Sequence, residues 1–201
     1  MKTRTHRLIK TLLNIKWRII DSLAYHLGPV NSWYITKIGA DYEKEYHEFN
    51  ITQKNHVLHI GCGSYPMTEY IIAEKIGATI TGVDNNKKAL QKAKKHHQKH
   101  YPSLTTITFE HHEGKNIDPK GYDVIILSSC TNPMIDVFKN ITKKSKKGTT
   151  IILRELDSCL LEIDHYIATH PELKEQKRIR HNSGTTMKSQ RWQSLFLKKM
   201  S

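Results

Sequence analysis

Cysteine is scarce in this chain. Among 201 residues there are three, Cys62, Cys130 and Cys159, odd in number, widely spaced and free of any C-x-x-C pattern. That argues against a disulfide frame and a zinc site, and the three read as reduced thiols of a cytoplasmic protein. Long apolar runs are missing too. Between Leu8 and Tyr25 the residues Leu8, Ile9, Leu12, Leu13, Ile15, Ile19, Ile20 and Leu23 fall mostly at helical spacing, but Arg4, Arg7, Lys10, Lys16 and Arg18 flank or interrupt them. A membrane-spanning helix is thereby excluded and a secretory signal disfavoured. Two readings of this basic segment stand. One is a helical cap, single or split near Gly28-Pro29, packed over the domain that follows; the other is an interfacial helix touching a membrane surface. Internal repeats are absent, and the one low-complexity stretch is lysine-rich.

Acidic residues are also in short supply. Nineteen Asp and Glu stand against 32 Lys and Arg, a formal net charge of +13. Much of the excess lies at Lys87 to Lys99, at Lys143 to Lys147 and at the two termini, without aromatic interleaving or a recognition motif. Lysines on solvated helix faces account for most of it, while a field this positive raises encounter rates with polyanions and keeps nucleic acid as an alternative partner. The 37% hydrophobic and 25% charged content is ordinary for one globular domain. We divide the chain into a basic helical cap at 1–49 and a ligand-binding α/β domain at 50–201.

What is present is concentrated in His56-Val-Leu-His-Ile-Gly-Cys-Gly-Ser-Tyr-Pro-Met-Thr68. Val57 to Ile60 is the apolar run of a buried parallel strand, and Gly61 and Gly63, lacking Cβ, let a ligand approach the backbone closely. A helix follows from Pro66, with Met67, Tyr70, Ile71, Ile72 and Ile76 as its apolar face and Gly77 as its end. Ala78 to Val83 is a second strand, and Asp84 sits at its carboxyl end, where open α/β sheets bind ligands and where a carboxylate accepts from both hydroxyls of a ribose. Pro66 holds the place of the third glycine of the dinucleotide fingerprint G-x-G-x-x-G, which argues against a pyrophosphate seated on that helix. The shorter pattern fits S-adenosylmethionine (SAM) better.

Further strands are expected at Thr105 to Phe109, Asp123 to Leu127 and Thr149 to Leu153, and helices at Asn86 to His100, about Pro133 to Lys143, and about Asp157 to Thr169. Such alternation implies a parallel sheet with helices on both faces. Arg191 to Leu197 alternates apolar and polar residues, consistent with an added, antiparallel strand.

Taken in order, the Gly61-Cys62-Gly63 loop, Asp84, Gly114-Lys-Asn-Ile-Asp118 and Tyr122-Asp-Val-Ile-Ile-Leu127 resemble the class I SAM-dependent methyltransferases from about Asn50 to Arg154. The resemblance implies a Rossmann-like, doubly wound, mostly parallel seven-stranded sheet. It also implies cofactor contacts from Gly61, Cys62 and Gly63, from the Pro66-Met67-Thr68 extension, from Asp84 and Asn85, and from Ser128 and Ser129. Lys115 stands where that group carries an acid for the adenine amine, so Lys115 or Asn116 takes over that contact through backbone or amide groups.

Ile60-Gly-Cys-Gly-Ser-Tyr-Pro-Met-Thr68 is similar, more narrowly, to Ile-Gly-x-Gly-x-x-Pro-(Leu/Met)-Thr of the nicotianamine synthases and related opine-type metallophore synthases. Asp123 to Leu127, Val137 to Ile141, Ile151 to Arg154 and, more loosely, His181-Asn182 and Ser194 to Leu197 follow the same order. This resemblance implies transfer of the aminocarboxypropyl group of SAM to an amine, with methylthioadenosine released. The family's larger helical N-terminal domain and its catalytic glutamate are not matched: no glutamate precedes Glu43, and Asp21 is the available substitute. Its catalytic tyrosine is matched by Tyr42, or by Tyr34 in a shifted alignment.

On the acceptor side, Tyr42, Tyr34 and Glu45 are candidates to orient or deprotonate a nucleophile, the plain alternative for each tyrosine being an aromatic in the core. Arg154, at a strand's end, is a candidate clamp for a substrate carboxylate or, equally, a salt-bridge partner of Glu155 or Asp157. Ser128-Ser-Cys-Thr-Asn-Pro133 lies where substrate groups are expected, but Asn132-Pro133 lacks the proline and aromatic that follow in amine methyltransferases and serves equally as a helix start. His96, His97, His100, His111 and His112 read as surface histidines rather than metal ligands. The chain is read as a SAM-dependent transferase for a small amine or amino acid, with aminocarboxypropyl transfer ahead of methyl transfer to a small molecule or RNA, and a non-catalytic nucleoside-binding module as the further alternative.

Overall fold

In the computed structural model the residues described are 10–12, 14–17, 19–20, 22–23, 35–181 and 191–201. Tyr34, Asp21, Gly28-Pro29 and Asn182 lie outside them. Helical residues within 10–23 and a wide π-helical turn at Ile35–Gly39 lead into α1 (Ala40–Glu48). The α/β alternation follows as β1 (His56–Ile60), α2 (Met67–Ile71, continued by a π-helical turn at Ile72–Ile76), β2 (Thr79–Asp84), α3 (Lys87–His100), β3 (Ile107–His111) and β4 (Val124–Leu127). It closes with α4 (Met134–Lys144), β5 (Thr150–Leu156), α5 (Leu161–Ala168), β6 (Leu173–Arg180) and β7 (Trp192–Lys199).

The strands form one sheet in the order β3-β2-β1-β4-β5-β7-β6. The first five are parallel, and β7 inserts antiparallel between β5 and β6. The order reverses beside β1, between β1 and β4, which is where doubly wound sheets open a crevice at their carboxyl ends. Consecutive residues of a strand point to opposite faces, so β1 supplies Val57 to one core and Leu58 and Ile60 to the other. The first core joins Val57, Ile80, Ile126, Ile152 and Phe196 to Tyr46 of α1, Tyr70 of α2 and Leu90 and Ala93 of α3. The second joins Leu58, Ile125, Ile151 and Leu195 to Phe138 and Ile141 of α4 and Ile163 of α5. With both faces covered, near-continuous apolar strands are what burial demands.

Asn86 caps α3 by accepting from the Lys88 and Ala89 N–H groups. The lysines of α3 are exposed, as a solvated face requires. Strand β3 begins two residues later than the run of β-branched residues indicates. Thr105 and Ile107 instead close turns onto Ser103 and Leu104, and pairing starts where Ile107 meets Ile80. Strand β6 escapes the sequence reading because Lys174 to Lys177 are all exposed and no alternation is needed; a charged edge strand resists pairing with other chains.

Of the N-terminal helical residues, Trp17 and Ile20 pack against the first core, Lys10 bonds the buried carboxylate of Glu155, and Leu12, Ile15, Ile19 and Leu23 face solvent. Among the described residues no helix is long and apolar enough to cross a membrane.

Candidate functional site

The glycine loop leaves β1 with Gly61 at φ 88°, its N–H donating to the Val83 carbonyl at 2.7 Å. A Cβ on Gly61 would stand 3.0 to 3.1 Å from Cys130 Sγ, Ser128 Cβ and Thr131 Oγ1, so both the backbone and the space call for glycine. Asp84 ends β2. Its Oδ2 accepts from the Gly63 N–H at 2.9 Å and its Oδ1 from the Asn86 N–H at 2.8 Å. Each oxygen keeps one lone pair, which is what two vicinal hydroxyls require. Beside it opens a cleft of about 690 Å³ walled by Gly61, Gly63, Asp84, Asn85, Lys115 and Asn132, among others. The Gly114 loop is fixed by Asn140 Nδ2, which donates to the Ile117 carbonyl at 2.9 Å. A ribose-sized acceptor pair, close backbone approach and a cleft of nucleoside size together fit SAM.

A second cavity, of about 80 Å³, adjoins the first, sharing Asn14, Trp17, Gly61 and Cys130 as boundary. Cys62, Met67, Thr68, Ser128, Ser129 and Tyr42 line it, so the structure gathers those expected residues around a small chamber next to the cleft. Two expected contacts stand apart from both cavities: Pro66 is buried ahead of α2, and Asn116 is exposed in the Gly114–Asn116 turn.

Arg154 lines the chamber yet is 1% exposed, and its partner is neither Glu155 nor Asp157. Its Nε and Nη2 donate to Glu45 Oε2 at 2.9 and 2.7 Å, Nη1 donates to Thr68 Oγ1 at 2.9 Å, and Nη2 to the Tyr46 hydroxyl at 2.8 Å. The Tyr42 ring lies 3.6 Å from its guanidinium carbon. A guanidinium so fully engaged serves as internal counter-charge and positions Tyr42; the clamp reading is corrected accordingly. Glu45 is buried with it and lines neither cavity. Burial pushes its carboxyl up, but the Arg154 charge and hydrogen bonds from His181, Arg154 and Ser194 outweigh that and hold it below its ordinary value. His181 stacks on Trp192 at 3.6 Å, its Nε2 lies 2.8 Å from Ser194 Oγ, and its Nδ1 stands 3.6 Å from Asp41, an ion-pair distance too long for a hydrogen bond.

His96 is not a surface residue. It is buried, with Nδ1 2.8 Å from the Tyr70 hydroxyl, and burial, then His100, Lys99 and His97, lower its pKa to about 4. Among the described residues no group of three His, Cys, Asp or Glu is arranged to hold a metal. The sequence reading passed over His59, which lines the chamber, and Glu69, which bonds it at 2.6 Å. The signal was there: a histidine inside the apolar run Val57 to Ile60, and a glutamate inside an apolar helix face.

Known proteins share this architecture. The nicotianamine synthase MtNAS, a Glu-to-Gln mutant, superposes with TM-score 0.71 at 14% identity over 97% of this chain and 74% of its own. The same mutant in complex with SAM gives TM-score 0.69 at 14% identity over 97% and 76%. An RNA methyltransferase from Salinibacter ruber in complex with S-adenosyl-L-homocysteine gives TM-score 0.60 at 10% identity over 81% and 92%. No curated protein matches by sequence. Residues 51–199 match the family model described as a methyltransferase domain. With the class I sheet order, the glycine loop and the Asp84 carboxylate in place, the chain belongs to the methyltransferase-domain family and is a SAM-dependent transferase.

Proposed function

We propose that this enzyme transfers the aminocarboxypropyl group of SAM to the nitrogen of a small amine or amino acid, releasing methylthioadenosine. The observation that carries the reading is the small chamber beside the Gly61 loop, bounded by Asn14 and Trp17 from the N-terminal helical residues. That is room for a few heavy atoms of a small acceptor rather than for a macromolecule. Further support comes from coverage: likeness to MtNAS extends over 97% of the chain and so takes in the N-terminal segment, whereas likeness to the RNA methyltransferase stops at 81%.

SAM supplies a carbon activated by an adjacent sulfonium, a leaving group that needs no acid. The residues' work is therefore to hold the nucleophile in line and exclude water. Asp84, Asn85 and the Gly61–Gly63 backbone hold the nucleoside; Lys115 borders it. Met67, Thr68, Ser128 and Ser129 shape the chamber, and Tyr42, fixed over Arg154, faces the acceptor. Tyr34 is retained as the alternative tyrosine.

A second reading, methyl transfer to RNA, draws on the charge of +13 and on Lys88, Lys92 and Lys115 at the rim of the cleft. Mass spectrometry of the nucleoside released from SAM, with a small-molecule extract as acceptor, separates the two. Methylthioadenosine above a no-enzyme control is expected; S-adenosylhomocysteine would overturn the first reading.

A further inference from the structure

Strand β1 buries a histidine where its neighbours are apolar. His59, 3% exposed, lies opposite Gly82 of β2 and Ile126 of β4, on the face covered by α2. Glu69 of α2 is 0% exposed, and its Oε1 stands 2.6 Å from His59 Nδ1. Gly82 makes the room: a Cβ there would stand 2.6 Å from the same carboxylate oxygen. A carboxylate and an imidazole buried in an apolar core are costly unless paired. This pair is not saturated, because His59 Nε2 and Glu69 Oε2 are buried with no hydrogen-bond partner among the described residues. His59 also lines the small chamber. With Nδ1 committed to Glu69, Nε2 is the ring nitrogen left for a chamber occupant.

We propose that His59 is the proton acceptor for the attacking nitrogen, with Glu69 the positioning residue that holds its ring. The proposal rests on the amine-acceptor reading above. A carboxylate that takes Nδ1–H fixes the tautomer whose Nε2 carries a lone pair, the logic by which buried acids orient catalytic histidines. As the nitrogen lone pair forms its bond to carbon, the carbon–sulfur pair departs with sulfur. The surplus proton on nitrogen passes to Nε2, and the imidazolium formed is neutralised by Glu69 until solvent takes the proton. Glu69 bonds the ring, and the other charged or titratable groups lining the chamber are Cys62, Cys130, Tyr65, Tyr42, Lys16 and Arg154. Arg154 is matched by Glu45, and burial pushes the Cys62 thiol up, so neither changes charge near neutrality.

Nitrogen-15 NMR of histidine-labelled protein, with the His59 signals identified by their loss in His59→Gln, tests the proposal without turnover. Near neutral pH a protonated Nδ1 and a bare Nε2 are expected; an Nε2–H tautomer would overturn it. Turnover with SAM and a panel of free amino acids and polyamines adds the second arm. His59→Gln is expected to lose about 100-fold or more, with SAM affinity by calorimetry unchanged within about twofold. Glu69→Gln is expected to lose less, in kcat rather than in KM for the acceptor. Unchanged turnover and pH profile in His59→Gln would overturn the proposal. Release of S-adenosylhomocysteine by the wild type would overturn aminocarboxypropyl transfer instead, leaving the NMR arm to judge His59, as it does where Glu69→Gln fails to fold.

Discussion

Asp84 accepts two backbone N–H groups and still offers one lone pair on each oxygen. In the proposed ribose role, Asp84→Ala removes two charge-assisted hydrogen bonds, each about 1.5–3 kcal/mol, and SAM affinity measured by calorimetry should fall at least tenfold while the circular dichroism spectrum stays that of the wild type. The Arg154–Glu45 pair shows the opposite use of a carboxylate. Both are buried, so Glu45→Gln leaves a guanidinium without its counter-charge, and urea denaturation should show a loss of about 3–5 kcal/mol. The folded Glu45 carboxyl lies below its ordinary value of 4.5. Its contribution is therefore present above that pH and lost as pH falls through the folded value. His181 has the reverse sign. Burial lowers its pKa, but Asp41 and Glu45 outweigh burial and raise it above 6.5. Stability from His181 is complete below 6.5 and declines as pH rises through the folded pKa; His181→Asn should flatten that part of the stability profile.

Helix α2 carries the consequences of a single missing side chain. Gly82 in β2 leaves the pocket that Glu69 fills, so Gly82→Ala should push the carboxylate from His59 and cost about 1–3 kcal/mol by denaturation. The strand–loop–helix unit from His56 to Gly77 was legible because period, glycines and helix end agree in one short stretch. The β6 edge was not, since a strand exposed along most of its length needs no hydrophobic signal. The N-terminal helical residues are tied down through Lys10 and Glu155, whose carboxyl is pushed up by burial and drawn back by Lys10. Lys10→Ala removes the cation from a carboxylate that is 1% exposed. Limited proteolysis should then cut within the N-terminal helical residues faster, and KM for the acceptor should rise.

For the molecule as a whole, the excess of 13 positive charges acts over distance rather than at the chamber. The lysines of α3 are exposed, so RNA binding should be non-specific and fall steeply between 50 and 200 mM salt, as counterion release dictates. A filter-binding series across that range checks it. RNA that binds tightly at the upper end, with sequence preference, would move the acceptor assignment to nucleic acid.

Local chemistry written along the chain determined the α/β class, the cofactor loop and Asp84, because each rests on neighbours in sequence: an apolar run, a pair of glycines, an acid at a strand's end. Tertiary structure decided the partners of the buried charges. Arg154 of β5 and Glu45 of α1 are 109 residues apart in sequence and meet only in the folded chain. His59 and Glu69 meet because the strand's pleat and the helix's turn bring them to one face above a glycine from β2. Composition names the charges a core must neutralise, and only the packing of one element on another says which of them neutralise each other and which nitrogen of His59 is left without a hydrogen-bond partner among the described residues.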